Sequence, residues 1–209
     1  MNSEIKVDYI DHMGTDLTVV NSARVSFNKR KEQFEEQDGK LIAYLAKHNH
    51  WSPFAHTSIQ LKVIAPIFVA RQLVKHQVGG VWNETSRRYV SDSPTFYIPT
   101  EWRGKPANSK QGSSDAVIEN IDISDHVANC CVLYDQLLAK GVAPEMARMI
   151  LPQNMMTEWY WTGSLVFWDR VCKQRLDSHT QEETQVVAQQ ISEICAKLFP
   201  VSWLHLSSQ

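Results

Sequence analysis

No run of apolar residues in this chain approaches the roughly 20 that a helix needs to cross a bilayer. Neither sign of charge is in excess: 21 Lys and Arg stand against 23 Asp and Glu, a formal net charge of -2. That balance offers no electrostatic argument for nucleic acid or an anionic membrane as partner, and neither is expected. None of the four cysteines sits in a CxxC, and the adjacent Cys130 and Cys131 are a poor frame for a disulfide or a metal. All four are expected to be small buried hydrophobes in a reducing compartment. The residues from Met1 to Lys6 lack the basic-then-apolar order of a secretory leader, so a cytoplasmic location is expected. His48, His50 and His56 have no HExxH or cysteine pattern beside them, and no metal is expected. No internal repeat is present.

What is present is an ordinary globular composition, 43% hydrophobic and 21% charged, in a chain of 209 residues that can bury a sizeable core. Ile5, Val7 and Tyr9, followed by Leu17, Val19 and Val20, read as an edge strand or hairpin. Leu41, Ile42, Tyr44 and Leu45 share a helix face that should end near His48–His50, ahead of Ser52–Pro53. Ile59, Leu61 and Val63 alternate and predict a strand over 58–63. Pro66 should open a helix over Ile67–Val78, stopped by Gly79–Gly80. A mobile surface loop is expected over 103–114. Helices should dominate from about residue 117: one through Tyr134, Leu137 and Leu138 that stops at Gly141, and a short one between Pro144 and Pro152. A further helix is expected over Trp161–Arg175, and Ser178 with Gln181 should cap the last, whose apolar face is Val186, Val187, Ile191, Ile194 and Leu198. The fold class is therefore α+β, a small antiparallel sheet packed with several helices, in a single domain over 1–209. The seven tryptophans have mostly apolar neighbours and are expected in the core.

The densest polar stretch runs from Arg71 to Tyr89. On a helix Arg71 and Lys75 share one face, and Gln72 and His76 the next. The double glycine then allows backbone to approach a flat or anionic ligand. Glu84, Ser86, Arg87 and Arg88 follow. Guanidinium, hydroxyl and backbone amide together suit a phosphate, although a solvated charged loop has the same composition. Arg148 stands among apolar residues and needs a partner if buried, a surface ion pair being the plainer alternative. Arg175, Asp177 and His179 form another cluster, equally readable as charge complementarity at two helix ends.

Pro53-Phe54-Ala55-His56, Ala65 to Gln72, and Asn83-Glu84-Thr85-Ser86-Arg87-Arg88-Tyr89 resemble the flavin-dependent thymidylate synthases. The resemblance continues through Ala147 to Pro152, Trp161-Thr162 and Arg175 to Gln181, and so spans nearly the whole chain in order. It implies reductive methylation of dUMP to dTMP, with methylene-tetrahydrofolate as carbon donor and NADPH-reduced FAD as hydride source. It also implies a homotetramer whose sites are built from several subunits, with no enzyme nucleophile on the pyrimidine. Carried over by position, dUMP should be held by Gln72, Lys75, Glu84, Ser86, Arg87, Arg88, Arg148 and Arg175. Arg175 takes the catalytic place, polarising the uracil ring near N3. FAD should be held by His50, Ser52, Lys75, His76, Gln77, Glu84, Ser164, Arg170 and His179. The chain departs from the family signature, Arg-His-Arg then seven residues then Ser. Here Lys75 and Gln77 replace the arginines, and eight residues separate Gln77 from Ser86. Ser164, Val166 and Arg170 stand where many members carry Asn, Arg and Asn.

Overall fold

The computed structural model describes residues 3–90, 92–107 and 112–208. Its centre is a four-stranded antiparallel sheet in the order β1-β2-β6-β3. These strands are β1 (Lys6–Met13), β2 (Ser58–Pro66), β3 (Gly80–Glu84) and β6 (Met156–Gly163); β4 (Trp102–Arg103) and β5 (Val117–Ile118) form a separate small pair. The helices are α1 (Asp16–Arg24), α2 (Glu36–Lys47), α3 (Ser52–Ala55), α4 (Ile67–Leu73), α5 (Ser124–Ala139), α6 (Pro144–Ala147), α7 (Leu165–Arg175), α8 (Glu182–Leu198) and α9 (Pro200–Ser207). The α+β class holds.

Period-two patterning makes the sheet one-sided. Ile59, Leu61, Val63 and Ala65 of β2 and Trp159 and Trp161 of β6 are buried, while Tyr160, Lys62 and Glu158 face outward. Lys62 and Glu158 pair on that outer face at 2.8 Å. Against the inner face pack Phe167 and Trp168 of α7, with Val187 and Ile191 of α8 in the same core. Trp82 stacks on Trp159 with centroids 4.2 Å apart, and Trp161 meets Trp168 edge-on at 5.0 Å. Such pairs add about 0.5–1.5 kcal/mol each beyond their buried area. Most tryptophans are core, as expected, but Trp51 is exposed. Cys172 and Cys195 are buried, whereas Cys130 and Cys131 are only partly covered.

Several elements differ from the sequence reading for identifiable reasons. Leu17, Val19 and Val20 lie in α1, not in a strand, because Thr15 and Thr18 form a capping box and Asp16, Val19, Val20 and Ala23 follow a helical period. Asp16 also reaches across the fold. Its carboxylate accepts from the Val201 and Ser202 amides at 3.0 and 2.8 Å and so caps the start of α9. The helix expected over Trp161–Arg175 begins only at Leu165. Trp161 belongs to β6, and Ser164 is the N-cap, accepting from the Phe167 amide at 3.4 Å. The α4 helix ends at Leu73, short of Val78, and β3 starts directly at Gly80. Gln181, not Ser178, is the N-cap residue of α8. Residues 117–118 are a strand, and α5 begins at Ser124. The expected loop over 103–114 lies partly outside the described residues. Its first residue is anchored: Arg103 Nη2 bonds both carboxylate oxygens of buried Glu183 at 2.7 and 2.9 Å.

Gly80 and Gly163 sit opposite each other in the β3–β6 ladder. A Cβ on either would fall within the Phe167 ring, so only hydrogen lets that ring lie across the two strands. This contact fixes α7 against the turn that follows α4, and the candidate site is built there.

Candidate functional site

Arg175 ends α7 and points back at the turn after α4. Its Nε donates to His76 Nε2 at 2.9 Å and its Nη2 to the Gln72 carbonyl at 3.0 Å. Burial, then the neighbouring Arg175 and Arg170 guanidinium groups, push the His76 imidazole down to about 4 from its usual 6.5. Burial lowers the Arg175 guanidinium as well. The Gln72 side chain is committed elsewhere: Nε2 donates to Gln181 Oε1 at 2.6 Å, and Thr184 Oγ1 donates to Gln72 Oε1 at 3.2 Å.

Five residues earlier on α7, Arg170 donates through Nη2 to the Val78 carbonyl. A cavity of about 200 Å3 opens here, lined by Lys75, His76, Gln77, Val78, Phe167, Arg170 and Gln174. Among the described residues no acidic side chain lines it, so the cavity favours an anion or carbonyl oxygens. Four residues carried over as flavin contacts, Lys75, His76, Gln77 and Arg170, meet in this one place.

At the other end of β3 lies a larger groove of about 870 Å3, whose lining includes Glu84, Arg87, Arg148, Thr157 and Glu158. Glu84 accepts from Thr157 Oγ1 at 2.8 Å and from Trp82 Nε1 at 3.3 Å. Arg87 donates to the Asp92 carbonyl. Ser86 Oγ accepts from the amide and Nε of Arg88, at 3.3 and 3.2 Å, and the Arg88 guanidinium lies 5.0 Å from the Tyr89 ring centroid. The Arg148 guanidinium is exposed and has no hydrogen bond or ion pair among the described residues. The groove and the cavity share no lining residue. Four residue steps of β3 separate them, about 13 Å at 3.3 Å per step.

The remaining candidates stand apart from both. Exposed His50 packs edge-on against Tyr44 at 5.8 Å, and exposed Ser52 opens α3. Ser164 uses its hydroxyl as the α7 cap. His179 is exposed and pairs through Nδ1 with Asp177 at 3.0 Å. A third cavity, about 540 Å3 and lined by Phe68, Tyr97, Trp102, Arg103, Gln181 and Glu183 among others, escaped the sequence reading. So did Thr184 and Gln174. Gln181 is legible as a capping residue and as the end of the Arg175–Gln181 motif, but nothing in its local sequence signals a bond to Gln72, which lies 109 residues away.

Residues 8–201 match the family model described as thymidylate synthase complementing protein. A flavin-dependent thymidylate synthase of Thermotoga neapolitana is 40% identical over 195 residues, 93% of this chain and 87% of the relative. That of Kosmotoga olearia is 38% identical over 200 residues, 93% of this chain and 86% of the relative. Among solved structures, the UMP/dUMP methylase PolB from Streptomyces cacaoi bound with 5-Br dUMP superposes with a TM-score of 0.84 at 30% identity, covering 99% of this chain and 96% of that one. The match of nearly the whole chain, in sequence and in fold, makes it a member of the flavin-dependent thymidylate synthase family.

Proposed function

We propose that this enzyme methylates dUMP to dTMP, using methylene-tetrahydrofolate as carbon donor and NADPH-reduced FAD as hydride source. The observation that carries the reading is the anchored Arg175 guanidinium, held by His76 and Gln72 beside a cationic cavity. A fixed cation next to a uracil ring stabilises the negative charge that develops there as C5 becomes nucleophilic. Preorganisation matters because the guanidinium need not reorganise during the reaction. Arg148 and Arg87 supply the cations that a nucleotide phosphate requires, and Arg148 has no partner among the described residues. Ser86 acts as a binding hydroxyl and not as a nucleophile.

The donor set of Lys75, Gln77 and Arg170 fits the carbonyl-rich pyrimidine end of a flavin, which gains negative character when reduced, while His76 Nε2 is already engaged by Arg175. A volume of about 200 Å3 lies below the roughly 300–1,000 Å3 of typical ligand pockets, so these residues would hold one end of FAD and not its whole length. The bound flavin supplies the hydride chemistry that side chains lack. The remaining length, and the separation of the Arg148 groove from Arg175, support a homotetramer whose sites are shared between subunits. No helix among the described residues is long and apolar enough to cross a membrane. A reducing cytoplasm suits the four free thiols.

The test is a pair of measurements: flavin-dependent NADPH oxidation, and release of tritium from C5 of labelled dUMP when methylene-tetrahydrofolate is present. Turnover that persists in flavin-free protein overturns the reading. The likeness to a UMP/dUMP methylase favours a second possibility, that UMP is also accepted. Parallel assays with the two nucleotides separate them.

A further inference from the structure

Arg175 can do its work only if something holds it, and the structure shows what does. A guanidinium has five N–H donors and no acceptor. Its Nε lies 2.9 Å from His76 Nε2, so that nitrogen must be the acceptor, carrying a lone pair and no proton. The imidazole is then neutral, with its proton on Nδ1. The surroundings enforce this state. Arg175 and Arg170 face the ring from α7, Lys75 lies beside it on its own turn, and Trp161 of β6 is the ring neighbour at 6.4 Å. Every charged group named here is a cation, and each disfavours a second proton on the ring.

We infer that His76 is a positioning residue for Arg175: a neutral Nδ1–H imidazole that, with the Gln72 carbonyl, fixes the guanidinium by its Nε–Nη2 edge. The Nη1 amino group and one Nη2 proton stay uncommitted among the described residues, a flat edge of donors suited to the carbonyl edge of a pyrimidine. The role extends the proposed function and rests on it. It differs from the flavin contact that resemblance implies for His76, because here the ring acts through Arg175. The Gln72 carbonyl that shares the task belongs to α4, and the Gln72 side chain is clamped by Gln181 and Thr184 at the start of α8. The Gln72 half of the anchor therefore rests on α4 and the start of α8, while His76 lies in the turn that follows α4.

The experiment compares His76→Gln, whose amide oxygen can still accept from Nε, with His76→Leu, which cannot. Positioning predicts that His76→Leu loses kcat on the order of 100-fold, the scale of a misplaced catalytic group. His76→Gln should recover most of that loss, while KM for dUMP changes little and bound FAD measured by absorbance is equal in both variants. Equal loss of kcat in the two variants overturns the inference, as does parallel loss of FAD, which would mark a direct flavin contact. Nitrogen-15 NMR of histidine-labelled enzyme gives a reading that needs no turnover. The His76 ring should show a protonated Nδ1 and a bare Nε2 from neutral pH down to about 5. A proton on Nε2, or titration near 6.5, refutes the proposal whether or not the enzyme makes dTMP. A correct tautomer in an enzyme that fails to methylate dUMP would overturn the functional reading alone.

Discussion

Arg170 shows how a single side chain bears on this site. Its guanidinium binds the Val78 carbonyl beside Gly79 and lines the same cavity as Lys75 and Gln77. Where the family signature carries two arginines, this chain offers an ammonium point charge and a neutral amide, neither of which gives the planar fork that braces an aromatic ring system. Arg170 restores a guanidinium to the cavity from α7. Gln77→Arg should therefore tighten FAD, and Arg170→Ala should loosen it. Each change should be about fivefold, roughly 1 kcal/mol for one partly exposed charge-assisted contact. Isothermal titration of FAD against the three proteins measures this, and equal affinities would show that neither side chain bears on flavin binding. Acid provides a second reading of the same residues. The folded pKa of His76 is depressed from 6.5 to about 4, so the unfolded chain binds the extra proton first. The stabilisation from neutral His76 is complete above 6.5 and is lost as pH falls through that window towards 4.

At the scale of elements, Gly163 decides where β6 ends and how α7 lies. Gly163→Ala would drive a methyl group into the Phe167 ring, which has buried strands beneath it and cannot retreat. Overpacking of this kind costs about 1–3 kcal/mol. Urea denaturation should show that loss, together with weaker FAD binding as Phe167 shifts at the cavity wall. Unchanged stability would mean that α7 is free to move, and the account of its placement would fail. The same junction explains what could be read from the chain alone. β2 was legible because Ile59, Leu61 and Val63 alternate cleanly and turn signals flank them. β6 is hidden because in Trp161-Thr162-Gly163-Ser164-Leu165-Val166-Phe167-Trp168 large apolar residues stand close on both sides of the short Thr162-Gly163-Ser164 junction where the period changes from two to 3.6. Ser164, the cap, marked the change. Likewise, the Thr15 and Thr18 capping box is present in the sequence, but Leu17, Val19 and Val20 suit a strand as well as a helix. The site divides in the same manner. Arg175, His76 and Gln72 were recognisable as residues, yet their mutual bonds span some 100 positions and follow only from the packing of α7 on α4.

For the whole molecule, the exposed apolar surface is the informative feature. Of the 16 residues of α5 only Val127 and Tyr134 are buried, while Val132 and Leu133 are exposed and Met146 and Met149 follow nearby at 55% and 72% exposure. Apolar surface grouped in this way marks contact with another protein chain, a membrane or a ligand. The Met149 surface borders the groove of Arg87 and Arg148, so a neighbouring subunit docked there could complete a nucleotide site around that groove. The consequence can be tested by mixing two defective proteins. Arg175→Ala should lose turnover because the base-polarising cation is gone, and Arg148→Ala should lose affinity for dUMP because the phosphate contact is gone. If Arg175 and Arg148 of one site come from different subunits, mixed oligomers contain some sites in which both arginines are intact. Random assembly from equal amounts makes these about a quarter of all sites, given closed symmetric assembly. Activity should then reappear at a dUMP concentration where each variant alone is inactive, after unfolding and refolding the mixture together. If both arginines of a site belong to the same chain, no combination of these two variants restores it, and a mixture that stays inactive would establish that arrangement.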